Sequence, residues 1–501
     1  MSVPAATRPL EQIACVTGPA GVVDVVATPT ARVDWCVAGV LIANLAHLFL
    51  FDRLYPEHRL DPDLLAYITY FRNWVADDHM LHALPYYTGP KALLVFTLGA
   101  LGNVSAALAC SALASALLGA VVYLIARDAF GRPAALATSL FLLLDPSKAF
   151  LTLKSSADLY LALLLFLAIL LSDRKWLIGA AFCLFLSVLV KPVTLPCALY
   201  FLVAPDSRAR RWSAALIPFA AAPLILLANH ALLGSAFGGS RYFDEFASMA
   251  AKEPLGPGEL VHYALWSQLI RIRFVSTASW GLVGMLLWIG DDRSRLTRPL
   301  VLLPLLFLFG YIALSAALPF PPYFRYFWPL EIWFLMFLVH GVLEGARRLA
   351  GTNTWQRRAI AGVVLVLLAN GLIERQLDYQ RQYATPIEQS MRFASAATDL
   401  LHAQRRSGET IVAPLSMLPY LMWDLPEAGR TSSVDTAERI AREQLSVRPA
   451  WIIDIPQMYK TDATGRWIQD IARDGAYQVY VTDGQSALLG RRSPDPAGSG
   501  R

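Results

Sequence analysis

The feature that most constrains this chain is the recurrence of apolar runs close to the length that crosses a bilayer. At 1.5 Å per residue, about 20 helical residues span a hydrocarbon core roughly 30 Å thick. Eleven candidate stretches have this character: 34–51, 104–126, 133–146, 157–172, 176–190, 193–204, 213–233, 276–290, 299–318, 327–343 and 359–373. Hydrophobic residues make up 56% of the chain and charged residues 16%, where a soluble domain would carry about a quarter charged. The mean hydropathy is +0.45. A soluble enzyme is excluded, and the expectation is an α-helical polytopic membrane protein with about 11 transmembrane helices.

Charge supplies the sidedness. The segments 127–132, 173–175, 205–212, 291–298 and 344–358 hold 14 Lys and Arg, which marks them as the cytoplasmic loops. The N-terminus is then cytoplasmic, residues 1–33 form a disordered cytoplasmic tail, and 34–373 form the transmembrane domain with outer loops 52–103 and 234–275. The net charge of +5 is too small and too scattered for a nucleic-acid footprint, so no nucleic acid is expected as a partner. Five cysteines without a C-x-x-C pair indicate neither a disulfide framework nor a zinc site.

From Gln376 onward the sequence turns polar. Helical patterns (388–405, 437–445, 465–473) alternate with β-rich runs (410–413, 451–455, 478–482), which predicts a small C-terminal α/β domain over 374–491, extracytoplasmic by parity, and a disordered tail over 492–501.

The candidate chemistry falls on the outer side. Leu60-Asp61-Pro62-Asp63 opens a predicted amphipathic surface helix that runs on through Tyr67 to Val75. Asp61 before Pro62 reads as an N-cap. Asp63 either serves the helix dipole or, one turn from Tyr67 and on the same face, forms a site with it. Only seven residues of the chain are Lys, and Lys91, Lys148, Lys154 and Lys191 fall at predicted outer ends of spans. An ammonium there either snorkels to headgroups or acts as a point charge for phosphate oxygens. The phosphate role suits Lys91 and Lys191, each beside a proline. Arg325, in Pro321-Pro322-Tyr323-Phe324-Arg325-Tyr326-Phe327-Trp328, is an interfacial anchor or a ligand. Glu331 within the next span is a functional candidate or the partner of Arg325. Asp158 is a second site carboxylate or a helix-start residue. Asp77, Asp78, His79 and His82 carry ligand types for a divalent ion or form a solvated loop. No cofactor is required by these residues; a divalent metal is an option and its identity unknown.

Several of these features resemble the GT-C glycosyltransferases. They are the Asp-x-x-x-Tyr of Asp63 and Tyr67 in a long first outer loop, the re-entry Tyr86-Tyr87-Thr88-Gly89-Pro90-Lys91, the inner loop Arg127 to Arg132, and Arg325-Tyr326-Phe327-Trp328-Pro329 before a late span. The likeness is to the branch of protein O-mannosyltransferases and aminoarabinose transferases. Where aminoarabinose transferases show Glu-Lys-Pro before the second span, Gly89-Pro90-Lys91 keeps the cation and loses the acid. The resemblance implies an inverting glycosyltransferase of the bacterial plasma membrane. It would move a sugar from a polyprenyl-phosphate donor to an acceptor hydroxyl of a glycan, lipid or protein, with membrane lipids around it. Asp63 would be the base, Asp61 its reserve, and Lys91, Lys191 and Arg325 the donor-phosphate ligands. Tyr67, Asp158, Glu331 and His82 are further site candidates. The alternative is a transporter or flippase for lipid-linked sugars, although charged or broken helices at the midplane and inverted repeats do not stand out.

Overall fold

The computed structural model describes residues 34–54, 62–75, 92–233, 274–317, 327–379, 385–406, 408–414, 417, 420–421, 425, 434–436, 448–456, 462–473 and 475–492. The helical part comprises α1 (Trp35–Leu54), α2 (Pro62–Val75), α3 (Val104–Phe130), α4 (Arg132–Leu144), α5 (Pro146–Leu153), α6 (Ala157–Asp173), α7 (Leu177–Val190), α8 (Arg208–Phe219), α9 (Ala221–Leu233), α10 (Phe274–Asp291), α11 (Pro299–Ala317), α12 (Trp328–Ala350) and α13 (Thr354–Tyr379).

Local chemistry sets the boundaries. Asn103 caps α3, its Oδ1 accepting from the N–H groups of Ser105 at 2.8 Å and Ala106 at 3.3 Å, which satisfies donors that a helix start leaves open. Gly131, at φ +92°, ends α3, and Pro133 follows within the first turn of α4. Asp145 closes α4 and caps α5, accepting from Ser147 N–H at 2.9 Å with Pro146 at the first helical position. Ser156 caps α6. Pro192 and Pro196 turn the expected span at 193–204 into a 3-10 helix, Pro192–Leu199, with only a short α-helical end, because proline removes i to i−4 donors.

All eleven predicted stretches contain helix. Among the described residues, Trp35–Arg53, Val104–Phe130, Arg208–Ala228 and Trp328–Ala350 are each long and apolar enough to cross a membrane, and α4 with α5, bent by 59°, makes a fifth candidate. The number of crossings, expected as eleven, is not set by these lengths, because prolines and caps break the runs into shorter helices. Ile42, Phe49 and Leu50 of α1 and Val363, Val366 and Leu367 of α13 are 59–67% exposed, an apolar surface suited to lipid. The opposite case is the seam between α10 and α12. A Cβ on Gly281 would fall 2.6 Å from Phe334 O, and one on Gly284 would overlap Phe337 O, so small residues let the two backbones touch.

The C-terminal part adds α14 (Thr385–Gln404), α15 (Asp462–Arg473) and a five-stranded sheet of β1 (Ile411–Ala413), β2 (Val434–Thr436), β3 (Trp451–Asp454), β4 (Tyr477–Thr482) and β5 (Ala487–Arg491), in the order β2-β1-β3-β5-β4. β1 is parallel to β2 and β3, while β5 is antiparallel to β3 and β4. Side chains alternate across the sheet with a period of two. Ile411, Ala413, Trp451 and Ile453 pack with Phe393, Ala394, Ala397 and Leu401 of α14. Val412 and Ile452 pack with Ile468 of α15 on the other face.

The helix expected after Asp61 is present as α2, and Leu64, Leu65, Ala66 and Tyr67 in it are fully buried. Leu64, Ala66, Tyr67 and Ile68 belong to the core of the helical bundle, and Leu65 belongs to the core shared by α14 and the sheet. Of the aromatic residues that suggested an interfacial face, Tyr67 is buried in the bundle core and Phe71 is half-buried.

Candidate functional site

α6 joins two ends of the bundle that differ in chemistry. Asp158 lies in its first turn and Asp173 is its last residue, a separation of about 22 Å along the axis. At the Asp173 end the Arg-rich loops meet. Arg174 lies 3.4 Å from Asp128, and Arg348 lies 2.9 Å from Asp291 and 2.8 Å from Glu344. A cavity lined by Asp128, Asp173, Trp288 and Arg298 lies between these loops. Beside it, Ser294 hydrogen bonds to the Asp292 carboxyl and holds it below the usual carboxylate range, with Arg295 and Arg298 adding to the effect.

The Asp158 end carries buried charge. Lys191, at the break after α7, forms an ion pair with Asp158, and their side chains are 13% and 2% exposed. The Ser156 hydroxyl also donates to Asp158 at 3.3 Å. Beside this pair, Ser155, at φ +50°, shares hydrogen bonds with Ser111 and Tyr160. The Tyr160 hydroxyl lies 2.8 Å from Ser111 Oγ and 3.0 Å from Ser155 Oγ. This network ties the start of α6 to the second turn of α3.

The bend between α4 and α5 contributes a second buried carboxylate. Asp145 is 6% exposed and accepts a 2.6 Å hydrogen bond from Trp328 Nε1. The bond fixes the first residue of α12 against the bend, and Glu331, half-buried, follows within the first turn of α12. One turn from Asp145, Lys148 is 2% exposed. Lys154 holds its ammonium 4.4 Å from the centre of the Phe150 ring, a cation-π contact.

Of the residues expected to form a site, Asp158 and Lys191 are brought together as partners. Asp63 lies in the first turn of α2, and Tyr67 is fully buried in the bundle core. Asp61, Lys91, Arg325, His82 and the neighbouring Asp77, Asp78 and His79 lie outside the described residues. Among the described residues, no group of three or more His, Cys, Asp or Glu gathers to hold a metal ion. Asp145 and Trp328 were missed as site residues. The signal was present in Asp145-Pro146-Ser147, a cap sequence closing an apolar run, whereas the distant indole partner left none.

No family model matches this chain, and no curated protein matches it. Among solved structures it is similar to ArnT from Cupriavidus metallidurans in the apo state. That similarity has 15% sequence identity and a TM-score of 0.44, and covers 91% of this chain and 98% of that one.

Proposed function

We propose that this chain is an integral-membrane glycosyltransferase, inverting in stereochemistry, which moves a sugar from a polyprenyl-phosphate donor to an acceptor hydroxyl at the outer face. The observation that supports it most is the separation of chemistry along α6. Paired and buried Lys and Asp residues occupy one end, and the Arg-rich loops occupy the other. Nucleotide sugars are confined to the cytoplasm, so an outer-face site needs a donor carried by lipid, and charged groups near one membrane face suit its phosphate. α2, which carries Asp63, packs against both the bundle and the C-terminal domain, where an acceptor held by that domain would meet a lipid-borne donor.

In this reading Asp63 takes the proton of the acceptor hydroxyl. The oxygen forms its bond to the anomeric carbon from the face opposite the phosphate, and the carbon–oxygen bond to phosphate breaks. The electron pair leaves on polyprenyl phosphate, whose charge is held by Lys91, Lys191 and Arg325. Asp61 is the reserve base, and Glu331 and Tyr67 shape the site.

The test incubates the purified full chain in nanodiscs with a panel of polyprenyl-phosphate sugars and follows donor hydrolysis and transfer. Asp63→Asn should retain the fold and lower turnover by roughly 10²- to 10⁴-fold, the usual contribution of a general base. Full activity in Asp63→Asn with loss in Asp61→Asn would move the role to Asp61. Movement of lipid-linked sugar across the bilayer without any cleavage would replace the transferase reading by a flippase.

A further inference from the structure

Ser155 stands where a helix usually ends on glycine. α5 closes in a Schellman arrangement, with Ser156 N–H donating to Leu151 O at 2.9 Å and Ser155 N–H donating to Thr152 O at 3.0 Å. That puts Ser155 at the left-handed position of the turn, φ +50°, where a Cβ crowds the neighbouring carbonyl and glycine is favoured. Nothing in the turn itself calls for a hydroxyl. The Ser155 hydroxyl is used outside it, hydrogen bonded to Ser111 Oγ of α3 and lying 3.0 Å from the Tyr160 hydroxyl of α6. Tyr160 lies 2.8 Å from Ser111 Oγ, which donates onward to Ala107 O at 3.1 Å. Ser111 and Ser155 are fully buried. A strained residue that persists in a buried hydrogen-bond network points to a role for its side chain.

The next residue carries that anchoring to a charge. Ser156 caps α6 and meets Asp158 twice, its Oγ accepting from the Asp158 N–H and donating to Asp158 Oδ2, each at 3.3 Å. Asp158 Oδ1 pairs with the Lys191 ammonium. The carboxylate is therefore held on one oxygen by the connector between α5 and α6, and holds Lys191 with the other. Lys191 follows α7 and reaches Asp158 from a separate element. A lysine stem is flexible, so the carboxylate rather than the stem decides where the ammonium sits. α3, at 27 residues the longest helix among the described residues, supplies the frame to which Ser111 ties the connector.

We propose that Ser155, Ser111 and Tyr160 are positioning residues for Lys191: their hydroxyls fix the connector, the connector fixes Asp158, and Asp158 aims the ammonium at the phosphate of a polyprenyl-phosphate ligand. The inference rests on the reading of Lys191 as a phosphate ligand. A cation held in place beforehand needs no rearrangement when phosphate charge meets it, and the network gives Lys191 that fixed place.

The experiment titrates the full chain in phosphatidylcholine nanodiscs with undecaprenyl phosphate and reads affinity and melting temperature together. Ser155→Gly keeps the left-handed turn and removes the hydroxyl. Tyr160 can still donate to Ser111 and Ser111 to Ala107 O, so no member of the network loses its last partner and the melting temperature should stay close to that of the parent. Affinity should fall about three- to tenfold, the range of one neutral hydrogen bond. Tyr160→Phe, which keeps the ring, should act in the same direction. In a chain already carrying Asp158→Asn and Lys191→Met, Ser155→Gly should lower affinity no further, because groups that act through one residue are not additive. A merely structural role would give the same loss in both backgrounds. Parent-like affinity in Ser155→Gly, or an equal loss with and without Lys191, overturns the proposal. If Ser155→Gly does not fold, Tyr160→Phe in the same two backgrounds decides by the same criteria. Failure of the underlying reading looks different: a parent that does not bind undecaprenyl phosphate, or binds it no better than the Asp158→Asn, Lys191→Met chain, removes Lys191 as a phosphate ligand and the positioning role with it. Weaker binding in that chain with none in Ser155→Gly or Tyr160→Phe removes the positioning role alone.

Discussion

Leu64 and Leu65 are adjacent in α2, yet they belong to different cores. Leu64 packs into the helical bundle, and Leu65 packs with α14, β1 and β3 of the C-terminal part. Successive helical residues project about 100° apart, so one short helix presents a side chain to each. Truncation of either leucine should cost about 2–5 kcal/mol as a buried cavity, with the damage falling in different places. Leu65→Ala should raise hydrogen exchange at Ile411–Ala413 and Trp451–Asp454 while leaving α3 and α6 protected. Leu64→Ala should loosen α2 against the bundle first. Identical exchange patterns in the two variants would show that the two cores open as one unit.

The contact that seats α2 is equally specific. Gly99 ends the π-helical turn Val95–Gly99, and a Cβ there would fall 2.5 Å from both Tyr67 O and the Phe71 Cβ. Backbone cannot give way as a flexible side chain can. Gly99→Val should therefore push α2 off its seat at a cost of roughly 1–3 kcal/mol, the usual range for overpacking. Proteolysis within Pro62–Val75 should become faster, and a variant as resistant as the parent would show that the helix has room to move.

Asp145 and Trp328 predict a coupling that their distance in sequence conceals. Trp328→Phe keeps most of the ring and removes the N–H, so a buried carboxylate loses a donor, at about 1–3 kcal/mol. Asp145→Leu removes the acceptor. If the 2.6 Å bond is what joins the bend to the start of α12, the double variant should cost less than the sum of the singles by about 1–2 kcal/mol, measured by denaturation in detergent. Strict additivity would mean that each residue acts only through packing.

Sidedness gives a simpler check. The loop from Arg293 to Arg298 should be protected from protease in intact spheroplasts, and the chain beyond Tyr379 should be cut. Protection of the C-terminal part would reverse the orientation and with it the outer-face reading.

The helical content was legible because it rests on a local property. Apolar runs ended by Asn103, Gly131, Asp145-Pro146 and Ser156 announce helices and their caps with no reference to the rest of the chain. The strands Ile411–Ala413, Trp451–Asp454 and Tyr477–Thr482 were legible for a similar reason, as short β-rich runs in polar sequence. Val434–Thr436 and Ala487–Arg491 were not: both fall within the expected α/β domain, but neither is a β-rich run in the sequence, and each becomes a strand through its neighbours, β1 for the first and β3 and β4 for the second. That α2 joins a second protein core through Leu65 was not legible, because the same apolar residues suit a lipid surface or a protein core. At the site, the sequence marked Asp158 and Lys191 individually. Their pairing depends on how α6 and the end of α7 meet, which no spacing along the chain encodes.

That pairing also allows structure and function to be separated at Lys191. With Asp158 2% exposed and Lys191 13% exposed at the side chain, Lys191→Met alone leaves a buried carboxylate without its cation and should cost about 3–5 kcal/mol. A loss of activity in that variant would say nothing about donor phosphate. Asp158→Asn combined with Lys191→Met removes both charges, and a buried pair replaced as a unit is often neutral in stability, so the double variant should regain most of the loss. If Lys191 also holds donor phosphate, the double variant should be stable yet bind a polyprenyl-phosphate sugar roughly tenfold or more weakly, as expected when a charge-assisted bond is lost. Recovery of stability and donor affinity together would make Lys191 a structural partner of Asp158 and leave the phosphate to other cations.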